Sequence, residues 1–427
     1  MTPNIALSLT MLVFLATYVL IVSEKLNRTV VAMSGAMLVL LLGIIDQKEA
    51  VRAIDFNTIG LLIGMMIIVG ITRRTGVFEF IAVKAAKLAK GDPGLILVLL
   101  ASITALVSAL LDNVTAVLLI VPVTFSITDK LGIPVIPFLI SEIVASNIGG
   151  AATLIGDPPN IMIGSATGLG FNDFLLNLFM PTFLSFVVTI WLLKLIYRKA
   201  LKAEPESRNR ILGLSEENLI KDFGLLKKAL FVLVLTILGF MLHKFLNVES
   251  ATVALSGATL LLLLTKEEPE DIFLAIEWPT LFFFAGLFIL VGALEHVGAI
   301  TWVAKRSLEL TGGAIVPTTM LVLWLSAIAS AFVDNIPFVA TMIPLIKDLG
   351  QLGGVQNLTP LWWALSLGAC LGGNGTLIGA SANVIVAGLA EKQGVSLTFR
   401  MFLKPAFPLM LLSIVISSMY LYLAYLL

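Results

Sequence analysis

Residues 94–128, GLILVLLASITALVSALLDNVTAVLLIVPVTFSIT, are apolar from end to end and carry a single charged side chain, Asp112, followed by Asn113. As one continuous helix this run would be about 50 Å long, whereas the hydrocarbon core of a bilayer is about 30 Å thick. The chain is therefore expected to fold back at Asp112-Asn113 into a two-helix hairpin. The pattern returns as VDNIPFVAT at 333–341, where Asp334 and Asn335 stand 222 residues further on.

The rest of the chain agrees with a membrane solvent. Hydrophobic residues make up 59% and charged residues 13%, against roughly 25% charged in a soluble domain, and mean hydropathy is +1.04. Stretches of about twenty apolar residues recur from end to end and read as transmembrane helices; they lack the alternation of a membrane β-barrel. The formal net charge is zero, which implies no nucleic-acid partner, and the lone Cys370 excludes an internal disulfide framework. The run at 5–22 has no preceding Lys or Arg and no small-x-small site after it, so it reads as a first spanning helix rather than a cleaved signal.

The two halves align. Ser34-Gly35-Ala36 matches Ser256-Gly257-Ala258, Asp55 matches Glu277, Gly76 matches Gly298, and GGAATLIGDPPN (149–160) matches GGNGTLIGASAN (372–383). The fold class expected is an all-α polytopic membrane protein of two inverted repeats, each with five transmembrane helices plus a re-entrant hairpin and one broken helix. Repeat 1 spans 1–197 (hairpin 94–128, broken helix 133–168), a linker spans 198–226, and repeat 2 spans 227–427 (hairpin 314–349, broken helix 360–390). A hairpin adds an even number of crossings, so each half has an odd count and the halves must lie upside down to one another. Inverted repeats with broken helices are characteristic of secondary transporters. With the linker in the cytoplasm, only Lys48, Arg52, Lys244, Lys305, Arg306 and Lys347 of the 27 Lys and Arg residues fall outside. That bias predicts a multi-pass plasma (inner) membrane protein with both termini outside; the acidic loop KEEPED (266–271) counts little in this rule.

Two constellations place polar groups at membrane depth. Asp112, Asn113 and Thr115 lie at the first hairpin tip, and Asp334 and Asn335, followed by Pro337, at the second. Such an Asp can be a helix N-cap; an ionisable residue at that depth is also a functional candidate, and its recurrence in both halves favours function. The second constellation is the pair of broken helices. Gly149, Gly150, Gly156, Pro158 and Pro159 interrupt a helix, and unwound backbone at that depth must be satisfied by protein or a cavity. Asn147, Thr153, Asp157 and Asn160 gather there, mirrored by Asn374, Thr376, Ser381 and Asn383 without a carboxylate. Glu142 sits inside a span, either paired with a loop Lys or Arg or acting as a proton relay. No Lys or Arg is expected at the site itself.

Blander readings fit other residues. His243 and His296, and Trp302, Trp362 and Trp363, read as interfacial residues, and Cys370 as a small core residue. The stretch 74–90 reads as a connecting helix on the inner surface, with a counterpart at 296–310 on the outer surface. No G-x-x-x-x-G-K-[ST], H-E-x-x-H or G-x-S-x-G motif occurs, so the energy source is an ion gradient or a partner chain, and no cofactor is implied.

The runs DNVTAVLLIVPVT, ASNIGGAATLIGDPPNIMIG and DNIPFVATMIPL resemble the ion transporter superfamily, and within it the branch of ArsB-type arsenical pump membrane proteins and the melanosomal P protein. Sodium/proton antiporters and citrate and dicarboxylate carriers are more distant relatives. The resemblance implies that hairpin tips meet the broken helices at the midplane, with substrate and coupling ion between them. Dicarboxylate members carry Ser-Asn-Thr at the tips and bind sodium there; here the tips read Asp112-Asn113-Val114 and Asp334-Asn335-Ile336. A carboxylate in place of a hydroxyl favours the proton as coupling ion, with sodium as the alternative, and disfavours a dianionic substrate. The expectation is a proton-coupled exporter of arsenite or antimonite, in which Asp112 and Asp334 take turns binding protons. The alternatives are a sodium/proton antiporter, or an anion transporter or channel, ahead of an intramembrane enzyme. Implied partners are the bilayer, a small inorganic solute or ion, a second copy of the chain and a separate ATPase subunit.

Overall fold

The computed structural model describes residues 3–427 other than Glu24, Leu214, Ser215, Glu217, Lys266, Gly312, Gly313 and 354–356. Lys266 of the acidic loop and three residues of the linker thus lie outside the described residues. Helix is the only regular structure among those described.

The first half comprises α1 (Pro3–Ser23), α2 (Arg28–Leu41), α3 (Gln47–Ala53), α4 (Phe56–Arg74), α5 (Val77–Leu88), α6 (Pro93–Leu110), α7 (Asn113–Leu131), α8 (Ile136–Gly150), α9 (Pro158–Thr167) and α10 (Phe171–Ile196). The linker holds α11 (Pro205–Leu212). The second half repeats the order as α12 (Phe223–Leu246), α13 (Ser250–Thr265), α14 (Pro269–Phe273), α15 (Trp278–His296), α16 (Ala299–Thr311), α17 (Ile315–Phe332), α18 (Asn335–Gly353), α19 (Thr359–Gly372), α20 (Ser381–Lys392) and α21 (Phe399–Leu421), closed by a π-helical turn, Tyr422–Leu426. Among the described residues nine helices are long and apolar enough to cross a membrane, and α2, α8 and α13 are shorter apolar helices. The short α3 and α14 are additions to the expected spans; Asp46 and Glu49 form a capping box that starts α3.

Contacts at the ends of α4 and α15 show that the halves run in opposite directions. α4 ends against the linker, where Lys221 N donates to Thr75 O at 2.9 Å. Its counterpart α15 ends against α3, which precedes the other end of α4, with His296 Nδ1 3.3 Å from Glu49 Oε1. The reciprocal contact also exists: Arg74, at the end of α4, pairs with Glu267 ahead of α14 at 2.7 Å. Lys87–Glu216 and Arg208–Asp92 lie on the linker face as well.

In lipid, apolar burial does not drive helices together, so close packing at small residues matters more. The halves interlock in this way twice. A Cβ on Gly64 of α4 would lie 2.5 Å from the Ala254 backbone of α13, and one on Gly286 of α15 would lie 2.8 Å from the Ala32 backbone of α2. These four helices form a scaffold. Beside it, each hairpin's first arm packs on its broken helix, α6 on α8 and α17 on α19. α8 from Pro137 and α19 from Pro360 are buried to their C-terminal glycines, while α10 turns Phe179, Phe183, Leu184, Val187 and Trp191 outward, as a lipid-facing helix does.

Burial corrects part of the interfacial reading. Trp362 and Trp363 are 6% and 1% exposed, because α19 is enclosed on all sides; Trp363 meets Phe174 edge-on at 5.1 Å. His243 is also buried, with Nδ1 3.1 Å from Val248 O, whereas Trp302 is exposed. α5 does not lie free on a surface: its apolar face, with Phe78, Ala82 and Ala86 buried, covers α7.

Candidate functional site

Both hairpins turn at their Asp. Asp112 is extended (φ −174°, ψ 166°) and caps α7. Its Oδ1 accepts from Thr115 N at 2.7 Å and its Oδ2 from Thr115 Oγ1 at 2.5 Å. Pro337 occupies the place of Thr115 in the second tip, so Asp334 takes other partners. Its Oδ1 accepts from Ile336 N at 3.1 Å, and its Oδ2 accepts from Ser381 Oγ at 2.7 Å and Arg28 Nη1 at 2.8 Å. The same Nη1 donates to Ser381 Oγ at 2.6 Å, and the guanidinium lies 5.0 Å from the Phe283 ring centroid, within cation–π range.

Arg28 overturns the expectation that no cation reaches the site. In the sequence it stands at a loop boundary, counted among the linker-side charges. In three dimensions it begins α2 of the scaffold and extends across to the tip of the opposite repeat. Removing it should expose the cost of an unpaired carboxylate. Arg28→Gln should destabilise the purified protein by about 1–3 kcal/mol, below the 3–5 kcal/mol of a fully buried pair because the Arg28 side chain is 33% exposed. Arg28→Gln with Asp334→Asn should recover most of that loss in the same thermal unfolding measurement; additive losses would mean that the pair is not coupled.

The amides converge on Asp157, which starts α9. Asn113 Nδ2 of the first tip donates to Asp157 Oδ1 at 3.2 Å and to Asn147 Oδ1 at 3.1 Å. Asn335 Nδ2 of the second tip lies 3.3 Å from both Asp157 oxygens. Asn147 Nδ2 donates in turn to Asn374 Oδ1 and Asn383 Oδ1, each at 3.0 Å. One carboxylate thus accepts from both hairpins, and one amide chain joins both broken helices. Asp157, Asn113 and Asn335 are all buried, Asp157 completely.

Other predicted residues hold the backbone. Asn160 Nδ2 reaches the carbonyls of Ala151 (3.2 Å) and Thr153 (2.8 Å), and Asn383 Nδ2 those of Gly373 (2.8 Å) and Thr376 (2.9 Å). These amides satisfy the carbonyls that unwinding frees. Thr153 Oγ1 donates to Ala109 O at 2.5 Å and Thr376 Oγ1 to Ala331 O, tying each break to the first arm of its hairpin. Glu142 lies apart, with Thr124 Oγ1 donating to its Oε1 at 2.6 Å; among the described residues no loop Lys or Arg bonds it.

A cavity of about 40 Å³ remains between the tips, lined by Arg28, Asp112, Asn113, Asp157, Glu277 and Asn335 among others. Larger cavities flank it. One of about 370 Å³ is bounded by Arg28, Asp334 and Ser381; another of about 410 Å³ is bounded by Arg52, Asp55, Ser165 and Lys347. Ser165 Oγ donates to Asp55 Oδ1 at 2.8 Å there. Besides Arg28, Glu277 lines the central cavity and Ser366 bonds Asn160, neither of them among the expected site residues. Glu277 carried a signal, its alignment with Asp55; Ser366, which donates to Asn160 Oδ1 at 2.5 Å, carried none. Cys370 aligns with Asn147 and lies 3.7 Å from the same Asn160 oxygen.

The fold is shared with a solved transporter. The crystal structure of the Alcanivorax borkumensis YdaH transporter superposes with a TM-score of 0.58 over 93% of this chain and 97% of that one, at 14% identity. The chain is 46% identical over 420 residues to an uncharacterized transporter of Mycobacterium tuberculosis, covering 97% of each. It is 44% identical to the 46 kDa membrane protein of Mycobacterium leprae, covering 97% of this chain and 98% of that one. To the P protein of Homo sapiens it is 36% identical over 491 residues, 96% of this chain but 59% of that longer one. Residues 18–368 match the family model described as citrate transporter. This integral, multi-pass membrane transporter belongs to the citrate transporter family.

Proposed function

We propose that the protein is a proton-coupled secondary active transporter that exchanges protons for a small neutral or cationic solute across the plasma membrane, with the linker 198–226 on the cytoplasmic side. The lining of the central cavity carries this reading. Asp112, Asp157 and Glu277 face it against one cation, Arg28, and Arg28 already has Asp334 as its partner. A space so lined favours protons and cations and disfavours a multivalent anion. Asp334 has its counter-charge, whereas Asp112 and Asp157 have none in the cavity. We therefore assign proton carriage to Asp112 and Asp157 instead of to an alternation between Asp112 and Asp334.

Alternating access would move the hairpin-bearing bundle against the scaffold. The Arg28–Asp334 and Asp55–Ser165 contacts join the two bodies beside the two larger cavities, so each is suited to open when its own side opens. Arsenite and antimonite, as uncharged trihydroxides, satisfy the charge requirement and are the first solutes to test; the arsenical assignment rests on the motif resemblance. Sodium satisfies it too. A second reading, symport of a carboxylate anion with protons, draws on Arg28 at the 370 Å³ cavity and on the family's citrate-transporting members.

Everted vesicles under an imposed proton gradient separate these readings. Arsenite or sodium should accumulate, and a protonophore should abolish the accumulation. Uptake of citrate alone, or uptake that the protonophore leaves unchanged, would contradict the proposal.

A further inference from the structure

We propose that Glu142 is a second proton-binding site, set between the linker face and the central cavity, that loads and unloads the central carboxylates. The inference deepens the transport reading above and rests on its proton coupling.

Glu142 is 1% exposed in the middle of α8. Its Oε1 accepts one hydrogen bond, from Thr124 Oγ1 at 2.6 Å, and its Oε2 has no partner among the described residues. Thr124 is the polar group bonded to it from α7, the second arm of the first hairpin. The charged groups on the other helices packed against α8 lie toward helix ends: Asp173 and Lys194 on α10, Glu391 and Lys392 on α20, Arg400 and Lys404 on α21. Those on α7 itself, Asp129 and Lys130, are in its last turn. None of them bonds Glu142. Burying an ionised carboxylate with one hydroxyl donor and no cation is costly, and binding a proton removes that cost.

The repeat supplies a control. Glu142 aligns with Leu365 and Thr124 with Ile346, so the fold is built in the second half without either group. Packing therefore does not require an acid here. On one side of Glu142, α7 runs on past Thr128, whose Oγ1 bonds back to Thr124 O at 2.9 Å, to its last turn, and α11 of the linker packs on α7. In the other direction Asn147, bonded to Asn113, lies five residues beyond Glu142 on α8, a rise of about 7.5 Å. A proton crossing the remaining interval to the central cavity is carried by intervening water. The step is a proton transfer alone: the Glu142 carboxyl releases a proton to water, and Asp157 or Asp112 takes one up, with no change of oxidation state.

The test compares Glu142→Gln, Glu142→Asp and Thr124→Val. Gln keeps an acceptor for Thr124 and loses the proton; Asp keeps a titratable group; Val removes the hydrogen bond and keeps the acid. Proton-driven flux of arsenite or sodium in vesicles should fall at least tenfold in Glu142→Gln and recover in Glu142→Asp with a displaced pH profile. In Thr124→Val it should stay within threefold of wild type. Infrared difference spectra of purified protein titrated with pH should show a protonated-carboxyl carbonyl band that Glu142→Gln lacks. Wild-type flux in Glu142→Gln overturns the proposal, as does equal damage in Glu142→Gln and Thr124→Val, the mark of a structural tie. If the wild type itself moves neither solute with protons, the transport reading fails separately. The infrared band then decides whether Glu142 binds a proton.

Discussion

Asp157→Asn should reduce proton-driven transport at least a hundredfold while the protein still folds. Among the described residues Asp157 is the one group that accepts from both hairpin tips, Asn113 at 3.2 Å and Asn335 at 3.3 Å. An Asn retains one oxygen to accept a tip amide, so the local structure has a partner for at least one hairpin. What it loses is the charge and the capacity to take up a proton. A hundredfold loss corresponds to about 2.7 kcal/mol of barrier, a plausible size for the removal of one coupling group. Thermal unfolding of the purified variant within a few degrees of wild type would show that the loss is functional. Asp157→Asn with wild-type flux would remove Asp157 from the mechanism.

The second large effect is structural. Gly149→Ala should fail to accumulate in the membrane or lose more than 3 kcal/mol of stability. Alanine favours a helix interior over glycine by about 1 kcal/mol, so propensity alone predicts the opposite sign. The geometry decides the matter: a Cβ at Gly149 would lie 2.2 Å from Ala105 O and 2.6 Å from Ala105 Cα, both backbone atoms of α6 that no rotamer change can move. Overpacking usually costs about 1–3 kcal/mol, and a clash with backbone belongs at or beyond the top of that range. Gly372 meets Ala327 in the same way at 2.5 Å, and Gly372→Ala should behave alike. Gly388 of α20 has nothing within 4 Å of its added Cβ, so Gly388→Ala should be neutral or slightly stabilising. Membrane yield and thermal unfolding of the three variants test the argument together.

These two predictions differ in how far the sequence alone supported them. The close contacts at Gly149 and Gly372 follow a signal any reader can see, a glycine-rich motif written twice at the same offset. Duplication also made the Asp-Asn tips and Asn160 with Asn383 legible, because the same polar residues recurred in otherwise apolar surroundings. The sequence did not give their division of labour. Asn160 and Asn383 bond freed carbonyls, Thr153 and Thr376 tie each break to a hairpin, and among the described residues Asp157 alone gathers both tips. That distinction depends on directions in space that spacing does not encode.

Arg28 shows the limit more sharply. A charge at a loop boundary is normally solvated, and the sequence places Arg28 at such a boundary. Its side chain is long enough to leave that boundary and reach a tip 306 residues away. The side chain meets Asp334, just ahead of α18, and Ser381, at the start of α20. Trp362 and Trp363 are buried for a related reason: an aromatic near a span end is interfacial only if the helix faces lipid, and α19 does not. Glu277 was visible as the partner of Asp55 in the alignment, yet a residue that starts a helix gives no sign of which cavity it lines.

The central claim is that solute and proton move in opposite directions through one site. The direct measurement is pH inside proteoliposomes of wild-type protein carrying an entrapped pH dye, with an inward arsenite or sodium gradient imposed and membrane potential clamped. Solute entering through the protein should drive protons out, so that the lumen becomes alkaline, and Asp157→Asn should abolish the change. Solute entry with no lumenal pH change in the wild-type protein would contradict the claim.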